Sequence, residues 1–291
     1  MTDLSKQLQF AKHWETFYNT NDRNSGIETD YSFTAHNGEG IPNGNGRQIY
    51  NANYGKVYIE NVSKLFHFSD NTSIELDTYY DIFSDFLVEG NQWTHYKNTY
   101  DNGVSGRSNG NHLSKENFKK ELSNSLGKYL TVKPPRSIEI NKILDRIQLG
   151  ITETNFLKGN KYFWRSDMMI HRNRNYHFSV RMSSDRTVAP ETDDTAKNFY
   201  AGAGVSYLMK NGDEYRNDYY NNFNHRQFPG ITAEQDSRNL NIDPYNWGKD
   251  GKNENDFAGG VTNGEIGACG MIWKKRDSKA HKSWFMFENE I

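Results

Sequence analysis

The chain has 291 residues, enough for one large or two ordinary domains, with 34% hydrophobic and 14% aromatic residues and a formal net charge of −2. That near-neutral charge argues against a general nucleic-acid or membrane-surface role, and no apolar run has the length of a membrane span. The single Cys269 excludes an internal disulfide, the first residues (MTDLSKQLQFAKHW) contain no signal-peptide-like apolar stretch, and 18 Tyr, 17 Phe and 6 Trp predict a core built from rings.

The first half reads as helical. Apolar residues recur at helical spacing from Tyr54 onward, at Val57, Val62, Leu65 and Phe66, then at Leu76, Tyr80, Phe83 and Leu87. Asp70-Asn71-Thr72 divides this stretch into two helices, with Thr72 or Ser73 expected to cap the second. Residues 102–111 form a Gly/Ser/Asn loop. Ser114 opens a helix through Leu126; Pro134-Pro135 ends that region. Ile138, Ile140, Ile143, Leu144 and Ile147 then make a last amphipathic helix, stopped by Gly150.

Beyond Gly150 the period changes to two. Met168 and Ile170, then Tyr176, Phe178 and Val180, alternate with polar neighbours, and Asn173-Arg174-Asn175 is the turn between two half-buried strands. Further strands are predicted at 204–209, 259–261, 267–274 and 282–287, with a polar, loop-dominated stretch over 211–255. Helices followed by strands predict separate α and β domains, 1–150 and 151–291. From Lys161 to Arg186 there are six basic and two acidic residues, a local basic surface suited to a polyanion or a solvated outer face of a sheet.

The segment Asp30-Tyr31-Ser32-Phe33-Thr34-Ala35-His36, followed by Asn53-Tyr54-Gly55, puts on one short stretch two side chains suited to moving a proton off a sugar carbon. A second block, FWRSDMMIHRNRNYHFSVRMSSDRTVAPE, runs from Phe163 to Glu191. Together these resemble polysaccharide lyase family 8, the hyaluronate, chondroitin and xanthan lyases. RQFPGIT at 226–232, FAGGV at 257–261 and AHKSWFMF at 280–287 extend the likeness along the β region.

The resemblance implies part of an α/α toroid followed by part of an antiparallel β-sandwich domain. The implied activity is β-elimination on a uronate-containing polysaccharide such as chondroitin or hyaluronan. It implies Tyr54 as base and acid, His36 as its assistant, Arg107 as the cation bonded to the tyrosine, and Glu191 as the carboxylate orienting that arginine. Taken singly, each of these side chains reads far more readily as a packing or solvated residue; their joint order, with FWRSDMMIH and MSSDR between, carries the assignment.

Two departures stand beside the likeness. The family's second arginine is replaced by Asn111, a substrate-binding candidate without charge, and the His36–Tyr54 interval is lengthened by a stretch holding Gly38, Gly40, Gly44 and Gly46. No residue before His36 matches the family's carboxylate-neutralising asparagine. The chain therefore reads as the middle of such a lyase, expected to be inactive alone, and a non-catalytic carbohydrate-binding remnant is the alternative. No cofactor is required; calcium near Glu234 and Asp236, with Asp243, is the one cation site the resemblance suggests, against a solvated loop. The implied partner is an anionic polysaccharide, with no nucleic acid, membrane or protein partner, and the implied location is extracellular or periplasmic.

Overall fold

The computed structural model describes residues 25–36, 47–74, 76–108, 114–191, 198–216, 219–238, 240, 251–288 and 290–291. Asn111, Asp243 and the glycines at 38–46 lie outside them.

Three short strands open the described chain: β1 (Gly26–Ile27), β2 (Phe33–Ala35) and β3 (Gln48–Ile49), paired antiparallel in that order. Helix α1 (Lys56–Ser69) follows and buries Tyr58, Ile59, Val62 and Phe66. Val57 is 44% exposed, because the apolar stripe runs through 58, 59, 62 and 66 and turns its neighbour outward. Thr72 does not cap the next helix as expected. Its hydroxyl donates to the Ser69 carbonyl at 2.6 Å, closing α1, and the second helical stretch begins at a 3-10 turn, Asp77–Tyr79, without a side-chain cap. It continues as α2 (Tyr80–Asp85) and a π-turn, Phe86–Gly90.

A tight hairpin follows, β4 (His95–Tyr96) and β5 (Thr99–Tyr100), whose two turn residues, Lys97 and Asn98, both have positive φ. Helix α3 (Lys115–Thr131) starts where its cap predicts, with Ser114 Oγ accepting from the Asn117 amide at 3.1 Å. It runs beyond Leu126 because Tyr129 extends the buried stripe of Phe118, Leu122 and Leu126. Helix α4 (Ser137–Leu149) ends at Gly150, whose φ of 90° only glycine adopts freely. The helical core is ring-rich as composition predicts: Phe66, Phe83, Phe86 and Tyr129 are fully buried, with Phe83 and Tyr129 edge to face at 4.7 Å.

Strands β6 (Gly159–Phe163), β7 (Met168–Arg172), β8 (His177–Arg181) and β9 (Val205–Met209) form one antiparallel meander. A second is formed by β10 (Ala258–Thr262), β11 (Gly267–Lys275) and β12 (Ser278–Met286). Met169, Phe178 and Val180 of the first sheet share a core with Cys269, Met271, Trp273 and Met286 of the second. Among the described residues of 211–255 the only regular element is one helical turn, Tyr219–Asn222.

The predicted alternation in β7 and β8 is present, but the strands are not half-buried: every residue of both is buried. The helical unit covers the second face. Arg172 Nη1 donates to the carbonyls of Gln92 and His95 at 2.9 Å each, and Arg181 donates to the Gly103 carbonyl. His177 Nε2 and Ser179 Oγ both donate to Asp101 Oδ2, at 2.7 and 2.6 Å.

The expected basic surface is thereby corrected as well. Arg172 and Arg181 are interior, Arg165 pairs with Glu28 at 3.1 Å, Arg186 with Asp167 at 2.5 Å, and Arg174 with Glu153. Lys161 faces Glu89 at 3.9 Å. Lys161, Arg165, Arg172 and Arg181 thus reach across to the helical unit, while Arg174 and Arg186 are paired with acids of the β unit itself.

Burial pushes the ring of His95 well below the ordinary histidine range, with Arg172 adding to the effect, and lowers His177 against the opposing pull of Asp101. Both rings are neutral in the fold and take up protons on unfolding below about pH 6.5. Stability is therefore present above that pH and falls as pH drops from 7 toward 5, by up to about 1.4 kcal/mol per pH unit for each ring. Asp30, raised to about 6 by burial, works in the opposite sense, since the folded state takes its proton first. Two histidines outweigh one carboxyl, so the urea midpoint should be lower at pH 5 than at pH 7. A midpoint that rises on acidification contradicts this assignment.

Candidate active site

Strand β2 and the segment after β3 are stapled at one residue. Phe33 N donates to Asn51 Oδ1 at 3.1 Å, and the Phe33 carbonyl accepts from Tyr50 N at 2.7 Å. Beyond β2 the chain turns sharply at His36, whose φ is 58°, and the His36 amide donates to Ser25 Oγ at 3.1 Å. Beyond Tyr50 it makes a π-turn, Asn51–Gly55, closed by Gly55 N donating to the Tyr50 carbonyl at 3.0 Å, before entering α1. Such turns at the head of a helix re-aim side chains. This one brings the Tyr54 ring to 5.3 Å from the His36 ring, edge to face.

Arg107 comes from the loop between β5 and α3. Asp101 accepts from Gly103 N at 2.6 Å and caps a first turn, Asn102–Val104; a second, Gly106–Ser108, carries the arginine. Asn53 Nδ2 donates to Ser108 Oγ at 2.7 Å, tying that turn to the one bearing Tyr54.

Glu191 arrives from the β unit. Residues 47 and 187 pair in parallel, and Val188 N donates to the Arg47 carbonyl at 3.0 Å. The Glu191 amide then donates to Gln48 Oε1 at 3.0 Å. The carboxylate is 1% exposed and stands between the other groups. Oε1 lies 3.6 Å from His36 Nε2 and Oε2 lies 3.6 Å from Arg107 Nη1. His36 and Arg107 thus meet at one carboxylate, and Tyr54 joins them through its ring contact with His36; Arg107 is 45% and His36 20% exposed.

One member of the cluster was not anticipated. Tyr50 is fully buried, its hydroxyl donates to Glu191 Oε1 at 2.6 Å and accepts from Arg107 N at 2.9 Å, and its ring packs edge to face on Tyr54 at 4.9 Å and on His36 at 6.0 Å. Burial and the Glu191 charge push its hydroxyl far above the ordinary tyrosine range, so it is a fixed donor and no base. Among 18 tyrosines nothing in its spacing marks it. The structure marks it through Gly106: with φ of 57°, a Cβ there would lie 1.8 Å from Tyr50 Cζ, so only glycine lets the ring through.

Asn111, the remaining substrate-binding candidate, lies outside the described residues. The calcium suggestion meets a different arrangement. Asp236 Oδ1 accepts from Arg226 at 2.7 Å and its Oδ2 from Arg238, which also pairs with Glu234. The bond from Arg226 leads the interactions that hold the Asp236 carboxyl down to about 2. Arginines already supply the positive charge, and no cluster of three metal-type ligands occurs among the described residues. A cavity of about 450 Å³ lined by Glu153, Lys158, His171, Arg174 and Glu288 contains none of the five clustered side chains.

This order of helices and antiparallel sheets is a known one. A solved structure of chondroitin AC lyase from Streptomyces coelicolor A3 in complex with chondroitin sulphate superposes with a TM-score of 0.78 at 18% identity, over 98% of this chain and 43% of that one. In sequence the chain is 33% identical over 131 residues to chondroitinase-AC of Pedobacter heparinus, covering 44% of this chain and 18% of the relative. It is 27% identical over 145 residues to hyaluronate lyase of Thermasporomyces composti, covering 45% and 17%. The chain thus spans less than half the length of each. Residues 158–291 match the model of polysaccharide lyase family 8, super-sandwich domain.

Proposed function

We propose that the chain carries the active site of a polysaccharide lyase that cleaves a uronate-containing glycosaminoglycan by β-elimination. In this reading residues 1–150 close a helical α/α toroid, residues 151–291 open an antiparallel β-sandwich domain, and the two meet at the site. The observation that carries it is the meeting of His36 and Arg107 at the buried Glu191, with the Tyr54 ring packed on His36. The names of the relatives, chondroitinase and hyaluronate lyase, support the substrate class.

Tyr54 takes the proton from C5, α to the uronate carboxylate. The electron pair forms the C4–C5 double bond as the C4–O bond breaks, and Tyr54 returns the proton to the leaving O4, on the same face. A free phenol ionises near pH 10, so a tyrosine in this role needs cationic neighbours. His36, when protonated, is the neighbour in ring contact with Tyr54, and Arg107 is proposed as the second. Glu191 holds both at its two oxygens, and Asn111 is proposed as a further, uncharged sugar contact. A polymeric substrate of this kind is met outside the cytoplasm, so an extracellular or periplasmic location goes with the reading; no described helix is long and apolar enough to cross a membrane.

The test incubates the complete natural protein bearing this chain with hyaluronan, chondroitin sulfate and xanthan and follows the near-ultraviolet absorbance of unsaturated uronate. Product from at least one polymer is expected; binding without product points to the alternative, a carbohydrate-binding remnant that has lost its chemistry.

Arg107 and Glu191 are proposed to act as one unit. If so, Arg107→Ala/Glu191→Ala should cost little more turnover than the worse single variant, an interaction of roughly 1–3 kcal/mol in the cycle. Fully additive losses show that they act separately.

A further inference from the structure

We propose that Tyr50 is a positioning residue of this site, whose hydroxyl ties the Glu191 carboxylate to the Arg107 loop. The proposal rests on the lyase reading above and adds to it a residue that neither composition nor motif singled out. Tyr50 touches all four proposed catalytic side chains or their backbone. Its carbonyl closes the π-turn that presents Tyr54, its ring lies against His36 and Tyr54, and its hydroxyl bridges Glu191 Oε1 and Arg107 N.

The hydroxyl makes the connection that matters most. A carboxylate as buried as Glu191 needs hydrogen-bond donors to hold it in place, and Arg107 and His36 stand 3.6 Å away, beyond a short bond. The 2.6 Å bond from Tyr50 is the short, charge-assisted one. Because the same oxygen accepts from Arg107 N, a shift of Glu191 is passed to the arginine's backbone. Gly106 shows that the fold is shaped around this ring, since any side chain there would overlap it. Tyr50 itself is fully buried, so it acts through these groups and makes no contact with substrate.

The experiment measures kcat, KM and thermal midpoint for Tyr50→Phe in the complete natural protein, beside Tyr129→Phe as a comparator. Tyr129 also buries a bonded hydroxyl, 2.8 Å from Ser84 Oγ and from the Tyr80 carbonyl, but in the helical core. Tyr50→Phe should lower kcat about 10- to 100-fold with KM within about threefold, the range expected when catalytic groups are displaced by up to an ångström. Adding Glu191→Gln should cost no more than the worse single variant. Tyr129→Phe should lower the thermal midpoint and keep kcat. Turnover of Tyr50→Phe within twofold of wild type overturns the proposal, as does an equal loss of kcat in both variants, which would mark a general effect of losing a buried hydroxyl. Absence of unsaturated product from the wild-type protein on every uronate polymer removes the lyase reading and this inference with it, and is told apart because the failure is then in the wild type.

Discussion

Tyr54→Phe in the complete natural protein should reduce release of unsaturated uronate by at least about a thousandfold, within the range a positioned acid–base group contributes, while polysaccharide binding stays close to wild type. The ring is what the fold uses: its packing on His36 at 5.3 Å and on Tyr50 at 4.9 Å is unchanged by the substitution. The hydroxyl has no hydrogen-bond partner among the described residues, so its removal leaves no buried group unsatisfied and little stability should be lost. That combination separates Tyr54 from Tyr50, whose hydroxyl is bonded on both sides. Binding is measured calorimetrically and turnover by ultraviolet absorbance. Near-wild-type turnover removes Tyr54 from the mechanism; weakened binding with unchanged kcat would make it a sugar platform instead.

The parts of this site legible in the sequence are those set by local order. His36 and Tyr54 lie on one short stretch, and the strand-to-turn staple at Phe33 brings them together without help from distant residues. Helix α3 starts at its Ser114 cap and α4 stops at Gly150, because capping and positive φ are written in single residues. What was illegible depends on contacts between units. Arg172 and Arg181 read as a basic surface because strand alternation says which residues share a face but not what covers it. The face proved to carry Arg172, His177, Ser179 and Arg181 against carbonyls and a carboxylate of the helical unit. Tyr50 was hidden for the same reason: its partners, Arg107 and Glu191, are 57 and 141 residues away. Nor does sequence show that the acids of the calcium suggestion are paired, Asp236 with Arg226 and Arg238, and Glu234 with Arg238.

The largest loss of stability should come from Asp101→Ala, a residue that touches no proposed catalytic group. Asp101 is fully buried at the junction of the two units. Its Oδ1 accepts from Gly103 N, and its Oδ2 accepts from His177 Nε2 and Ser179 Oγ. A carboxylate can only accept, so His177 carries its proton on Nε2, and the ring is held neutral by burial. Alanine strands three donors in the interior at once, a backbone amide, a ring N–H and a hydroxyl. Each stranded donor costs about 1–3 kcal/mol, so the three together should cost at least about 3 kcal/mol. Ser179→Ala removes one donor and leaves the carboxylate two, so it should cost only about 1 kcal/mol. The consequence reaches function because Asp101 caps the turn leading into Gly106–Ser108: with the cap gone, Arg107 loses its fixed approach to Glu191, and turnover should fall even at temperatures where the protein stays folded. Urea denaturation of wild type, Asp101→Ala and Ser179→Ala tests the ordering. Equal small losses in the two variants would mean that the junction is held by its arginines alone and that the buried carboxylate is incidental to it.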